Sequence, residues 1–351
     1  MLIALAMTAS AAEVTWTPEK LHVAASVNYR GSFEFGYLEE QAIRVSQRRF
    51  TEQNVDLGLQ FSPIPGATLT LGLATTPSWL WRFPQARQML LEPVDGGGSY
   101  VFADQAPEDT EPVGTNGGGI NGAWVGAAFS PFSEAFDLGH RVTWRLDVAY
   151  RTGNKNKNRW AVVDGKRGGA MGGSAIKIAG AFSRRGGAAE PYVRGTWLKE
   201  NKVTVDVTDA QGTVIAPGLE IDPADSVEIL GGTEVIASEN ALTHTRTAVD
   251  FNLGFRYRTW EDLPSGFLLP NVIEASKAIT VTHSERVQGL AGMGLNLVFS
   301  DTVRTTTGAR FQYTLPHTEE HIYDVQTSAD TFGVAWYFSI TGTLGANDVA
   351  E

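Results

Sequence analysis

The chain alternates apolar and polar residues with a period of two over stretches of about ten residues, and few folds accept that pattern. From Val142 to Arg151, Val142, Trp144, Leu146, Val148 and Tyr150 fall on one face, while Thr143, Arg145, Asp147, Ala149 and Arg151 fall on the other. The same split sets Val249, Phe251, Leu253, Phe255 and Tyr257 against Asp250, Asn252, Gly254, Arg256 and Arg258. Near the end it sets Phe332, Val334, Trp336, Phe338 and Ile340 against Thr331, Gly333, Ala335, Tyr337 and Ser339. Successive side chains of a strand point to opposite faces, so each stretch reads as a strand with one greasy and one polar side.

Soluble sandwiches alternate too, so strand length and connection length decide. Strands of soluble sheets run to about 5 or 6 residues, whereas a tilted membrane-spanning strand needs about 9 to 11. Aromatics such as Trp144, Tyr150, Trp336 and Phe338 end the apolar rows, as an interfacial girdle requires. Short connections (Ser62 to Gly66, Ser130 to His140, Ser183 to Glu190, Ser300 to Val303) alternate with long ones (Thr75 to Gly119, Thr152 to Gly173, Lys199 to Thr243). Short turns on one side and long loops on the other are expected of a barrel crossing an outer membrane, with the Tyr37 to Arg48 segment as the first external connection. Strand-like segments lie near 23–35, 49–61, 67–76, 120–129, 141–151, 174–182, 191–199, 246–258, 288–299, 304–314 and 331–341. Bacterial single-chain barrels have even strand numbers, which predicts a twelfth between Thr259 and Val287, at Ala278 to Ser284. The expected fold is therefore all-β, a transmembrane antiparallel up-and-down β-barrel of about twelve strands, with ten or fourteen as alternatives.

Three divisions are expected. Residues 1–12, closing on Ala9-Ser10-Ala11, read as the remnant of a signal peptide. Residues 13–341 form the barrel with its long extracellular loops, and 342–351 a periplasmic tail. No stretch approaches 18 consecutive apolar residues, so a helical span is excluded. The net charge of −11 argues against a nucleic-acid partner. The acids cluster between strand-like segments, at Asp104 to Glu111 and again from Glu220 through Glu239.

Two motifs mimic chemistry. His317-Thr318-Glu319-Glu320-His321 fits a zinc-protease pattern that requires a helix, but it follows Pro316 and reads as a loop between strands. Gly117 to Gly122 contains G-x-G-x-x-G without the flanking strand and helix, and reads instead as close backbone packing. The six histidines sit at turns, loops or strand ends with no partner placed on a shared inner face, so neither catalysis nor a metal or cofactor is expected.

The inner face by alternation carries Arg30, Glu34, Asp56, Arg145, Asp147, Arg151, Lys177, Arg194, Asp250, Arg256, Arg258 and Arg310. Bases lead acids by about two to one, which predicts a lumen favouring small anionic or polar solutes. The alternatives are a structural or adhesion barrel, its lumen filled by salt bridges and its long acidic loops facing a partner, and uptake of apolar molecules. Acids interleaved with Val203, Val205, Val207, Ile215, Ile221 and Ile229 suggest a β-hairpin standing above the membrane. Trp79, Leu80, Trp81 and Phe83 fall in the first long loop and read as interface anchors, with an apolar-solute site as the rival.

Val55 to Pro63 followed by Gly66 to Leu73 resembles the strand, proline-bearing periplasmic turn and strand of porins and of FadL-type hydrophobic-solute transporters. Asp330 to Ile340, with Trp336-Tyr337-Phe338, resembles the aromatic last strand read by the barrel-assembly machinery. The FadL-type resemblance is confined to Leu71 to Pro77 followed by Trp79 to Phe83. Those resemblances imply an outer-membrane location, with outer-membrane lipid and lipopolysaccharide, the assembly machinery, small solutes and an envelope protein as partners.

Overall fold

The computed structural model describes residues 18, 20–40, 43–83, 91–94, 99–102, 113–130, 141–153, 158–162, 168–170, 172–208, 211–240, 242–264, 281–300, 302–321 and 326–345. The signal-peptide reading, the acids at 104–111, most of 342–351 and the centre of the 259–287 region lie outside the described residues.

The strands are β1 (Val23–Glu40), β2 (Ile43–Ile64), β3 (Ala67–Phe83), β4 (Leu91–Val94), β5 (Ser99–Phe102), β6 (Val113–Phe129), β7 (Arg141–Arg151), β8 (Asn158–Val162), β9 (Ala175–Arg185), β10 (Ala189–Glu200), β11 (Val203–Thr208), β12 (Val214–Ile221), β13 (Ser226–Asn240), β14 (Thr245–Pro264), β15 (Val281–Val298), β16 (Val303–His321) and β17 (Gln326–Leu344). Twelve of them close an antiparallel barrel in the order β1, β2, β3, β6, β7, β9, β10, β13, β14, β15, β16, β17, and β17 pairs back onto β1. Closure leaves the barrel no sheet edge to satisfy inside lipid.

Eleven of these strands coincide with the segments read from alternation. The twelfth is elsewhere: Val281 to Ser284 belongs to the far end of β15, and the missing strand is β13, inside what the sequence reading took as one loop from Lys199 to Thr243. Its signal was Val227, Ile229 and Val235, all exposed on one face, blurred by Leu230 and Gly231-Gly232 between them. The same expected loop holds β11 and β12, which form the hairpin expected from Val203 onward; it closes at Ile221, and Ile229, expected in the same hairpin, belongs to barrel strand β13. β17 runs on to Leu344, past the expected end at 341.

The outer surface is a continuous apolar band. Leu57, Leu59, Leu69, Leu71, Val125, Leu146, Val148, Phe251, Phe255, Phe311 and Trp336 are exposed on it, and Leu253 is 68% exposed. Their neighbours at i±1, among them Arg145, Asp250, Asn252, Arg256, Arg310 and Gln312, are buried. A closed barrel with its greasy faces outward and its charges inward is stable only where hydrocarbon surrounds it, and the protein resides in the bacterial outer membrane. Both barrel ends of the chain, Val23 and Leu344, lie at the end of the short turns, among them Pro65-Gly66 and 241–244. The strand ends that flank 84–112, 152–174, 201–225 and 265–280 lie at the other, the loop end.

Three prolines inside barrel strands sit where pairing slips, whereas Pro191 on β10 pairs in regular register with Thr233. Pro63 falls in the Phe61/Ile64 irregularity, Pro77 in Thr76/Trp79 and Pro316 in Thr314/His317. Proline cannot donate to a ladder and is tolerated at bulges. At Pro77 and Pro316 the slip also changes which parity faces inward: Ala74 and Thr76 are buried below the first, Trp79 and Trp81 above it, and Thr314 is buried below the second, Glu319 above it.

The wall is uneven. β7, β9 and β10 have 11 or 12 residues, whereas β2, β14 and β16 have 22, 20 and 19. β6 pairs with β7 only from Trp124 to Phe129, and further up it pairs with β8 at Thr115 and Asn116. β8 lies parallel to β11, which pairs with β12, so a second tier of sheet continues the wall above the short strands. Val203, Val205 and Val207 of β11 and Ile221 of β12 are buried within this tier. It reaches the far side where the Asp262 amide donates to the Asp222 carbonyl and the Thr259 amide to the Asp225 carbonyl.

Candidate functional site

The interior holds the chemistry. The expected residues all sit on the inner face: Arg30 and Glu34 on β1, Asp56 on β2, Arg145, Asp147 and Arg151 on β7, Lys177 on β9, Arg194 on β10, Asp250, Arg256 and Arg258 on β14, and Arg310 on β16. The expected list leaves out six acids that face them, of which Glu52 shares the parity of Asp56 on β2 and was open to alternation.

Glu228 of β13 is the centre, 4% exposed. Arg256, opposite it on β14, donates from Nε at 2.9 Å and from Nη2 at 2.5 Å to Oε2. Arg310 reaches from β16, two strands beyond β14, to donate from Nη1 to Oε1 at 3.3 Å. Arg194 and Arg30 stand within electrostatic range of the same carboxylate. Gln288 accepts from Arg256 at 3.5 Å and donates to Thr314 at 3.0 Å, carrying the polar row on toward β17. One carboxylate thus gathers guanidinium groups from several strands across the middle of the barrel.

Other pairs occupy the remaining heights. At the loop end Arg48 and Glu319 form a two-pronged pair at 2.8 and 2.7 Å, with Glu319 0% exposed. Arg151 donates to Glu200 at 2.5 Å and lies over the Trp124 ring at 5.4 Å, and Arg258 acts on the same Glu200. At the turn end Arg246 binds Glu190 at 2.7 Å and Glu234 at 3.2 Å. Arg145 chelates the neighbouring Asp147, Gln312 donates to Glu34 at 2.6 Å, and Asp250 accepts from Asn252 at 2.7 Å. Gly232 stands opposite Tyr192, where a β-carbon would meet the ring at 2.5 Å, so only glycine admits that tyrosine to the interior.

These partners correct the expected twofold basic excess. Glu52, Glu190, Glu200, Glu228, Glu234 and Glu319 are buried on the inner face and bring its charge near balance among the described residues. Glu228 and Glu234 lie on β13, not in the acidic loop expected from Glu220 through Glu239. Glu319 was read as part of a loop, whereas His317 to His321 is the far end of β16, and the Pro316 slip turns Glu319 inward. On a strand, residues four apart stand about 13 Å from each other, which a single metal ion cannot bridge. His317 instead approaches Glu319 at 3.3 Å. Among the described residues no group of three metal-ligating side chains assembles. His283, read as partnerless, contacts Asp262 at the loop end.

Trp79 and Trp81 are corrected too. They lie in β3, not in a loop, and each is 1% exposed on the inner face. Phe50 packs on Trp81 with ring centroids 4.5 Å apart, and Arg48 lies 5.7 Å from the Trp81 centroid. A membrane-interface anchor would point outward. Trp79 also donates to the Gly169 carbonyl at 3.2 Å, and the Gly118 amide donates to the Gly168 and Gly169 carbonyls. Residues 168–170 therefore fold against the glycine run Gly117-Gly118-Gly119, as close backbone packing requires.

No protein-family model matches the chain, and no curated protein matches it. Among solved structures it is similar to a FadL homologue of Pseudomonas aeruginosa (12% identity, covering 95% of this chain and 92% of that one, TM-score 0.42). It is also similar to an outer membrane channel of Pseudomonas putida F1 (10% identity, 94% and 98% covered, TM-score 0.44). A third is the transport unit of the autotransporter AIDA-I of Escherichia coli (10% identity, 95% and 92% covered, TM-score 0.45).

Proposed function

We propose that this barrel is an outer-membrane channel for small polar or ionic solutes, held narrow by the Glu228, Arg256 and Arg310 bridge. The observation that supports it is the unbroken run of charged side chains along the inner face, from Arg48 and Glu319 at the loop end to Arg246, Glu190 and Glu234 at the turn end. Burying ions is costly, and an inert scaffold is served as well or better by an apolar filling. Charges along a passage have a use, since they replace part of the hydration of a passing solute. Arg30, Arg145, Asp147, Lys177, Arg194 and Arg258 are the further side chains assigned to its lining. Near-balance of charge supports weak selectivity between anions and cations.

Purified protein in planar bilayers tests this: discrete conductance steps are expected, enlarged when Arg310→Ala removes the cross-barrel contact. A silent bilayer for both proteins would favour a closed structural or adhesion barrel. Uptake of apolar molecules is supported by Phe50, Trp79 and Trp81 on the inner face near the loop end. That reading expects an aromatic hydrocarbon to bind there, and Trp81→Ala to abolish the binding without changing ion conductance.

A further inference from the structure

The Glu228 bridge has the chemistry of an occupied receptor. Arg256 and Arg310 each hold a different oxygen of one carboxylate, from strands on opposite sides of β15. Arg194 and Arg30 add positive charge at the same point from β10 and β1. A carboxylate has two oxygens and can satisfy two guanidinium groups at once, which is why arginine is chosen wherever carboxylates are bound with defined geometry. The Glu228 carboxylate is tethered to the wall only through its own flexible side chain, and it is held by arginines from β14 and β16 across the interior.

We propose that this locus binds a small carboxylate solute, which displaces the Glu228 carboxylate from Arg256 and Arg310 and takes its place between them. Glu228 acts as a tethered competitor: it keeps the arginines paired when no solute is present and returns to them when the solute leaves. Exchange of one carboxylate for another leaves Arg256 and Arg310 paired, and the displaced Glu228 carboxylate stays in the field of Arg194 and Arg30, which offsets the cost of leaving it buried. The physiological sense of the exchange rests on the channel reading above, and it names carboxylates as the class of solute that reading leaves open.

The test is a calorimetric titration of the full-length barrel in detergent micelles with succinate, and separately with inorganic phosphate, alongside chloride currents in bilayers. Glu228→Gln removes the competitor, so succinate should bind at least tenfold tighter than to the wild type, and Glu228→Gln with Arg256→Gln should lose that gain. Unchanged succinate affinity in Glu228→Gln, or phosphate bound as tightly as succinate, overturns the proposal. Where Glu228→Gln does not close into a barrel, wild type is compared with Arg256→Lys, which keeps the charge and loses the fork. An affinity loss of fivefold or more then supports the site, and equal or undetectable binding in both overturns it. A wild type that conducts chloride while succinate neither binds nor blocks refutes the carboxylate site and leaves the channel standing. Succinate binding that depends on Glu228 and Arg256 in a protein that never conducts refutes the channel and leaves the site.

Discussion

The barrel has a tall wall and a low one, and they solve the same membrane differently. β14, β15, β16, β17, β1 and β2 run for 17 residues or more, well beyond the roughly 9 to 11 that a tilted strand needs to cross hydrocarbon. β7, β9 and β10, at 11 or 12 residues, are close to that minimum. Everything above the bilayer on the tall side is a continuation of membrane strands, held by the same ladders. On the low side it is a separate tier, β8, β11 and β12, joined to the barrel through two residue pairs on β6 and a few hydrogen bonds to β14. The low wall thus marks how much of each strand lipid demands, and the tall wall shows how much was added for the mouth.

If that division is right, the sharpest contrast is which end faces outward, and its effect is all or none. Cysteine at Gly212, between β11 and β12, should react with an impermeant maleimide on intact cells, and cysteine at Gly66, in the β2–β3 turn, only after the outer membrane is breached. The reverse result would invert the barrel and assign the second tier to the periplasm.

Next in size is a charge on the lipid face. Leu146→Arg on the low wall stands at membrane depth and should cost about 2 to 4 kcal/mol in denaturant unfolding from lipid vesicles. Thr318→Arg, exposed near the top of β16, should cost close to nothing although it too lies on a barrel strand. Equal costs would mean that the tall wall is lipid-covered to its rim.

A smaller effect is expected in the second tier. Val205 is fully buried in β11, and Val205→Asp should remove roughly 1.5 to 3 kcal/mol of burial from that tier alone. Limited proteolysis should then cut between residues 201 and 225 while the barrel keeps its resistance to denaturant. Loss of both together would show that the low wall cannot stand without its cap.

The two walls also explain what the sequence revealed. Tall strands such as β14 and β17 keep one parity over their lipid-facing length, so Phe251, Leu253 and Phe255, or Phe332, Trp336 and Phe338, announce themselves and their inward partners. Alternation fails where a residue is inserted or a face is mixed. At Pro77 and Pro316 the parity slips, which hid Trp79, Trp81 and Glu319 from any rule that counts by two. In β13 the glycine pair Gly231-Gly232 and the inward Leu230 broke the contrast between faces, and its acids resembled those of a loop. Losing that strand meant losing Glu228, so the bases were legible and the carboxylate that gathers them was not. Pairing across the interior is a property of barrel closure, and no local pattern encodes it.

The smallest expected effect separates the walls at their junction. Gly117 lies on β6 where the tall wall ends, and a β-carbon there would collide with the Gly169 carbonyl and meet the Trp79 ring at 2.6 Å. Overfilling a packed site costs about 1 to 3 kcal/mol, and a loop that can retreat keeps the cost at the low end. Gly117→Ala should therefore push residues 168–170 off β6 without disturbing the barrel ladders. The Gly118 amide, which donates to the Gly168 and Gly169 carbonyls, should exchange its hydrogen roughly fivefold faster, the equivalent of about 1 kcal/mol. Amides of the β6–β7 ladder from Trp124 to Phe129 should keep their protection, because their partners lie below the change. If both sets accelerate together, the inward segment is part of the wall itself, and the low wall is sealed by that segment and by β8 in concert.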